Sequence, residues 1–311
     1  MYLVIEEPHC PWCKSESVVE IDMKSSQRTT VDGHLRRWNA APKLLRCQNC
    51  GLWIKHPRPT AAELQEYYSN VDFSKWENPG LYPNERKLLS ILQKLPKDSE
   101  ILDIGCSTGR LLSRLTNSFE CFGVEPNALS ATTASANGIS IVSQEDLTAP
   151  EFHERFAAVL LIDVFEHLLD PRSVIESAIS CLRQDGLLAI CTGDTGTQKF
   201  RQEKARFWYV VNEEHVIFFN RQFANHIATE FPLTISEWSN ISHYDSNSIS
   251  RSLLMYKRWL YRTLQHKSTF LRLAASLFPG ARKARRWAHC PPNNLSADHV
   301  ISVFRKQAQS R

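Results

Sequence analysis

The stretch Ser99 to Arg110, SEILDIGCSTGR, restricts the possible folds more than any other part of the chain. The apolar run Ile101-Leu102-Asp103-Ile104 drives into a turn carrying Gly105 and Gly109, and Leu111, Leu112 and Leu115 follow at once. The segment therefore reads as a buried strand, a glycine turn and a helix start. Gly105 tolerates a positive φ and lets a ligand lie against the backbone, while Gly109 lets the following element pack closely on the strand. The GxGxxG spacing that brings a pyrophosphate onto a helix N-terminus is absent.

The elements that follow keep the same rhythm. Glu125, in CFGVEP, stands 20 positions after Gly105 at the end of the next apolar strand, where a carboxylate can accept both hydroxyls of a ribose. Ile139 to Val142 reads as a third strand, followed by Gln144-Glu145-Asp146-Leu147. Ala157 to Asp163 reads as a fourth, fully buried one leading into Val164-Phe165-Glu166-His167-Leu168-Leu169-Asp170-Pro171. A helix ending near Gly186 and a fifth strand, Leu187 to Ile190, come next. Leu233 to Trp238 and Asp298 to Arg305 read as the sixth and seventh strands, the last antiparallel beside the sixth.

This series resembles the class I S-adenosylmethionine-dependent methyltransferases, whose first motif is written hhDhGxGxG. Asp103, Gly105, Ser107 and Gly109 stand at its positions, Ser107 replacing the middle glycine. The resemblance covers roughly residues 80–235 and the final strand. It implies an α/β fold with a doubly wound, seven-stranded Rossmann-like sheet, and S-adenosylmethionine as cofactor. Carried over onto this chain, the cofactor-binding residues are Asp103, Gly105, Cys106, Ser107, Gly109, Glu125 and Asp163, with Asp146 and Leu147 cradling the adenine. Asp163 to Pro171 looks like the family's D-x-x-E-H-x-x-D-P stretch.

Ahead of this core, Cys10-Pro11-Trp12-Cys13 and Cys47-Gln48-Asn49-Cys50-Gly51 form a CxxC…CxxCG pair separated by 33 residues. Two such knuckles brought together offer the four thiolates of a structural zinc site, Cys10, Cys13, Cys47 and Cys50, with Val18 to Asp22 and Leu44 to Arg46 as the joining strands. His34 between the knuckles reads as a surface histidine. The run from Cys50 through His56-Pro57-Arg58-Pro59-Thr60 to Tyr67 and Tyr68 looks like the zinc-ribbon leader of bacterial small-molecule methyltransferases, and Thr60-Ala61-Ala62-Glu63 is a capping box. Tyr67, Tyr68, Phe73, Trp76 and Tyr82 line the cofactor cleft as a lid or pack between ribbon and core. The expected organisation is a zinc ribbon (1–58), a helical linker or lid (59–98), the cofactor-binding core (99–245), a basic helical insertion (246–295) and a final strand with its tail (296–311).

The insertion dominates the charge balance. Residues 251–290 hold ten Lys and Arg and no Asp or Glu, within a chain whose net charge is +4, so the remainder carries 27 basic against 33 acidic residues, or −6. Leu253, Tyr256, Leu260 and Leu264 recur at helical spacing with arginines elsewhere around the wheel. An anionic membrane surface, RNA phosphates, a phosphate-bearing substrate or plain solvent are each compatible partners for that basic face. With nine cysteines, no apolar N-terminal run and no stretch of roughly 18 apolar residues, the chain reads as a protein of the reducing cytoplasm, peripheral at the inner membrane face if the insertion meets lipid.

Methyl transfer to a nucleophile asks the protein to position an acceptor and remove its proton. His167 and His215 are the candidate general bases, and a structural role competes for each. Asp163, Glu166 and His167 could also gather around a divalent ion. The irregular stretch Cys191 to Phe219, rich in aromatics, faces the acceptor. The signatures of DNA amino-group and cytosine methylation are absent, so no DNA partner is expected. The leading expectation is methylation of a small molecule, at oxygen, on a sugar, lipid-linked or aromatic intermediate. An RNA methyltransferase, a nucleotide-sugar C-methyltransferase and a non-catalytic cofactor-binding protein are the alternatives.

Overall fold

In the computed structural model the described residues are 8–21, 43–70, 80–212, 214–245, 248–266, 268–285 and 297–308. His34, Phe73 and Trp76 lie outside them.

Eleven strands among these residues form two sheets. The larger has seven strands: β4 (Glu100–Ile104), β5 (Glu120–Val124), β6 (Ser140–Ile141), β7 (Phe156–Ile162), β8 (Leu182–Gly193), β10 (Leu233–Ile241) and β11 (His299–Lys306), in the order β10-β11-β8-β7-β4-β5-β6. β4 to β8 are parallel, and β11 runs antiparallel between β8 and β10. The smaller sheet joins β1 (Val18–Ile21), β2 (Lys43–Cys47) and β3 (Trp53–His56) to β9 (Ile217–Phe218), all antiparallel.

Helix starts follow the sequence chemistry. α1 (Ala61–Asn70) opens on a complete capping box: the Thr60 backbone N–H donates to Glu63 Oε2 at 2.7 Å and the Glu63 N–H to Thr60 Oγ1 at 3.2 Å. α2 (Pro83–Leu92) has proline at its first turn. Asn127, Asp170 and Asn220 each accept a backbone N–H with their side chains at the starts of α3 (Ala128–Ala136), α4 (Pro171–Cys181) and α6 (Arg221–Glu230). Between the last two lies α5 (Gln198–Glu203). The insertion forms α7 (Ser248–Leu264), α8 (Thr269–Ser276) and α9 (Ala281–Ala284), closed over Leu260, Leu264, Ala275, Ala281 and Ala284.

Two apolar layers flank the large sheet. On one face Leu88, Leu92, Leu112 and Ala134 pack against Ile101, Leu160 and Ala189. On the other, Phe156, Phe165, Phe219 and Phe223 are continuous with Cys10, Trp12, Leu52 and Ile54 of the N-terminal module. Trp12 is fully buried, 5.0 Å edge-on to Phe223, and its indole N–H donates to Glu230 Oε2 at 2.9 Å. The module is thus welded to the core twice, through one shared apolar layer and through β9, a strand the core lends to its sheet.

Several boundaries differ from the periodicity. Past Gly109 the chain makes a 3₁₀ turn, Leu112–Arg114, in place of an α-helix, because the Ser113 and Thr116 hydroxyls donate to the Arg110 and Ser113 carbonyls and compete with helical bonding. β8 begins at Leu182, directly off α4, where a helix to Gly186 was expected. A register shift against β7 between Phe156 and Ala158 absorbs the extra residues. β10 runs on to Ile241, three residues past Trp238, because its ladder with β11 extends to the pair Ile241 and His299.

Candidate active site

A cavity of about 460 Å³ opens at the carboxyl ends of β4, β5 and β7. Parallel α/β sheets leave their ligand crevice there, and the size is that of a small-molecule site.

The turn after β4 forms its floor. Gly105 has φ +82° and Gly109 φ +74°, and both backbone N–H groups of Gly105 and Cys106 donate to the Val124 carbonyl, at 2.8 and 3.1 Å. A Cβ on Gly105 would stand 2.3 Å from Val164 Cγ2. Ser107 lies at φ +50°, the left-handed region in which glycine is at ease. At the tip of β5, Glu125 accepts the Ser107 N–H at 2.9 Å and the Asn127 N–H at 2.8 Å. Burial pushes its carboxyl above the usual range, while those two N–H groups pull it back. Asp103 is 4% exposed at the cavity wall, and its Oδ1 is a buried acceptor with no donor. Desolvation, with Glu85 and Glu125 nearby, raises its carboxyl well above the usual range. Arg110, which also lines the cavity, is engaged by Glu85 at 2.7 Å.

Of the residues expected at the cofactor, Asp103, Gly105, Cys106, Ser107, Glu125 and Asp163 line the cavity. Gly109, Asp146 and Leu147 do not. A Cβ on Gly109 would meet Ile139 Cδ1 at 2.1 Å, so that glycine serves packing beneath the turn. Asp146 Oδ2 accepts the Ser143 N–H at 2.7 Å and closes its own turn, Leu147 is buried in the core, and Gln144 reaches the wall in their place.

His167 and His215 both line the cavity, with ring centroids 4.8 Å apart. His215 Nδ1 sits 2.8 Å from the Tyr209 carbonyl, which can only accept, so the proton is on Nδ1 and the lone pair on Nε2. Burial drives the His215 pKa well below the ordinary value, which keeps the ring neutral. His167 Nδ1 lies 2.7 Å from the Tyr68 hydroxyl and 3.2 Å from the Glu214 carbonyl. Glu166, 1% exposed, accepts from the Tyr209 hydroxyl and, at 2.8 Å, from Thr192 Oγ1. The sequence placed Asp163, Glu166 and His167 together. The fold divides them: Glu166 and His167 join His215, whereas Asp163 faces His243 and His299.

Above this floor stand Tyr82, Trp208, Tyr209 and Tyr244, with Tyr67 and Tyr68 of α1 at one side. The Tyr68 carbonyl accepts from Asn127 Nδ2 at 3.0 Å, which ties α1 to the tip of β5. His243 and Tyr244 were not foreseen as site residues. They lie past the end of β10, and nothing in their local pattern points to the cavity.

In the N-terminal module the four sulfurs of Cys10, Cys13, Cys47 and Cys50 lie within 4.8 Å of one another, with Cys10 to Cys50 at 3.5 Å and Cys13 to Cys47 at 3.6 Å. Sulfurs each about 2.3 Å from one tetrahedral zinc would stand roughly 3.8 Å apart, so the donor set and its spacing fit that ion. The contact between the Cys10 and Cys50 sulfurs lowers the pKa of one thiol at the expense of the other, as expected when two thiols are pressed into one buried donor set.

A parallel sheet with an antiparallel last strand inserted, a glycine turn after its first core strand and an acid at the tip of the second together define a Rossmann-like methyltransferase fold. A family model described as a methyltransferase domain matches residues 76–237, more than half of the chain, and the protein belongs to that family, the class I S-adenosylmethionine-dependent methyltransferases. Similar solved structures include a SAM-dependent methyltransferase of Thermotoga maritima (15% identity over 72% of this chain and 89% of that one, TM-score 0.44). Others are a chain of the Haloferax volcanii complex of the Trm112 methyltransferase activator with a methyltransferase (11%, 79% and 98%, 0.50) and the [4+2]-cyclase SpnF (14%, 81% and 98%, 0.49). At these identities the likeness is one of fold. No curated protein matches the sequence.

Proposed function

We propose that the protein transfers the methyl group of S-adenosylmethionine to an oxygen of a small acceptor. The observation that carries this reading is the buried, donorless Asp103 Oδ1 near Gly105, with the Glu125 carboxylate one strand away. That floor is rich in acids and short of free donors, and it suits a ligand with an ammonium group, a sulfonium and a vicinal diol better than a phosphate. In this reading Glu125 takes the ribose hydroxyls, Asp103 and the Gly105 turn take the charged end, and α1 covers the nucleoside. The acceptor enters between Tyr82, Trp208 and Tyr244. The sulfur–methyl bond breaks as the oxygen–methyl bond forms, the sulfonium becomes a thioether, and the acceptor proton passes to a base on the cavity wall, for which His167 and His215 are the candidates. Calorimetry with S-adenosylhomocysteine should give a saturable heat that Glu125→Ala removes. Labelled methyl groups should enter small molecules in fractionated extracts; incorporation into RNA alone would overturn the acceptor assignment, and no heat would overturn the whole reading.

We further infer that the four cysteines of the ribbon hold a structural zinc ion, and that the insertion seats the enzyme on an anionic bilayer. The support for the second is the coincidence of charge and apolar exposure: Ile249, Met255, Phe270, Leu273 and Leu277 point to solvent, the last 88% exposed, among the ten Lys and Arg of 251–290. RNA phosphates would not reward such side chains, whereas a lipid interface does. No helix among the described residues is long and apolar enough to cross a membrane. Vesicles containing phosphatidylglycerol should retain the protein on sedimentation, and Phe270→Ser with Leu277→Ser should release it; equal retention of that double variant would refute the docking face.

A further inference from the structure

Asp163, His243 and His299 come from three separate places in the chain: the end of β7, the loop after β10 and the first residue of β11. Their ligating atoms nevertheless converge. His243 Nδ1 is 3.6 Å from Asp163 Oδ2, His299 Nε2 is 3.8 Å from Asp163 Oδ1, and all three groups fall within 4.8 Å of one another. These separations are too long for hydrogen bonds. Asp163 Oδ1, His243 Nδ1 and His299 Nε2 are all buried and all without a hydrogen-bond partner, although His299 is wholly enclosed in the protein. Three converging polar atoms left unpaired in one place are costly and call for something that satisfies them together.

The surroundings fix which atoms are free. Asp298 Oδ1 faces His299 Nδ1 at 3.3 Å, while Asp298 Oδ2 accepts from Lys199 Nζ at 2.7 Å and from Trp208 Nε1 at 2.9 Å. The carboxylate therefore draws the imidazole proton to Nδ1 and turns the Nε2 lone pair toward Asp163. A carboxylate behind a histidine in this way is the usual outer partner of a metal-bound imidazole. Asn84 Nδ2 lies 3.5 Å from Asp163 Oδ2 and steadies the carboxylate from the other side. The ring of His243 is fixed by stacking on Tyr82, with centroids 5.1 Å apart. By contrast the neighbouring group Glu166, His167 and His215 spends its atoms on Tyr209, Thr192, Tyr68 and backbone carbonyls.

We propose that Asp163, His243 and His299 bind a divalent transition-metal ion at the wall of the cavity. Donors each about 2.1 Å from one ion stand roughly 3.0–3.4 Å apart, so movements of about an ångström or less close this trio around it. Two imidazoles and one carboxylate select zinc, iron(II), cobalt or manganese over magnesium and calcium, which take oxygen ligands. Asp163 and His243 line the cavity, so the remaining coordination positions face the space assigned to the acceptor. Resting on the methyl-transfer reading, the substrate class follows: an acceptor whose oxygen is itself a metal ligand and loses its proton more readily there.

Cobalt(II) titration of the full-length protein, its ribbon already filled with zinc, tests the site. The expected result is one equivalent of cobalt with a visible d–d spectrum lacking thiolate charge transfer, displaced by added zinc. His243→Gln and Asp163→Asn should lose this equivalent while keeping the ribbon zinc, and Asp298→Asn, a positioning change, should weaken cobalt binding by about 10–100-fold. Absence of a sulfur-free cobalt spectrum in the unaltered protein overturns the proposal, whatever the variants do. So does unchanged cobalt affinity in both His243→Gln and Asp163→Asn. Should cobalt bind while S-adenosylhomocysteine gives no heat, the methyl-transfer reading fails and the metal site stands.

Discussion

Gly105→Ala puts the turn after β4 to a quantitative test. Two separate penalties are expected. An L-residue at φ +82° costs about 1–2 kcal/mol from Cβ crowding alone. The new methyl would also lie 2.3 Å from Val164 Cγ2, an overlap that must be relieved by moving the 3₁₀ turn Phe165–His167, and overpacking of this kind costs about 1–3 kcal/mol. The sum is about 2–5 kcal/mol. A double-mutant cycle separates the parts, because Val164→Ala removes the overlapping methyl and leaves the backbone penalty. In urea unfolding of the zinc-loaded protein, Gly105→Ala in the Val164→Ala background should then cost only about 1–2 kcal/mol, a coupling of about 1–3 kcal/mol in favour of the pair. S-adenosylhomocysteine affinity should fall in the single variant and return in part in the double, since the displaced turn carries Glu166 and His167 to the cavity. Additive losses would refute the steric argument. A Gly105→Ala protein as stable as its parent would refute the left-handed requirement as well.

Other consequences can be checked with the same preparations. Ser107→Gly, which removes an L-residue from φ +50° and keeps the backbone N–H that Glu125 accepts, should stabilise the protein by roughly 0.5–1 kcal/mol; a lower melting temperature would contradict this. Because burial raises the Glu125 pKa, the folded ligand-free state takes up a proton at a pH where the unfolded chain does not, so this residue's contribution to stability grows as pH falls through that window. Affinity for S-adenosylhomocysteine should move the opposite way, weakening on acidification before the pH reaches the ordinary glutamate value of 4.5, and Glu125→Gln should reduce that pH dependence to the part carried by the raised Asp103 carboxyl. Cys47→Ser should lower the stability of the whole protein in one transition, since the ribbon shares Trp12, Leu52 and Ile54 with the core layer. A surviving second transition at the parental midpoint would show the ribbon to be an independent unit.

Much of the architecture was legible in the order of residues, because it is set locally. The apolar strand and glycine turn of Ile101 to Gly109, the capping box at Thr60 and each CxxC knuckle are patterns within a few residues, and the acid 20 positions on at Glu125 follows from the fixed strand–turn–strand spacing, so the sequence reports them directly. Long-range pairing overrode local preference where the two competed, as at β8, which starts five residues before the expected strand because its partner β7 draws Leu182 into the ladder.

What tertiary structure alone decided is who meets whom at the cavity. His243 and His299 stand 56 positions apart with the whole basic insertion between them, and only the antiparallel closure of β10 on β11, ending in the pair Ile241 and His299, brings them together over Asp163. The same holds for β9, a two-residue strand too short to register in any periodicity, which the core donates to the ribbon's sheet. Short-range chemistry fixes elements and their ends. Contacts between distant segments follow from how apolar faces and ladders close on one another, a property of the packed chain that no window of sequence contains.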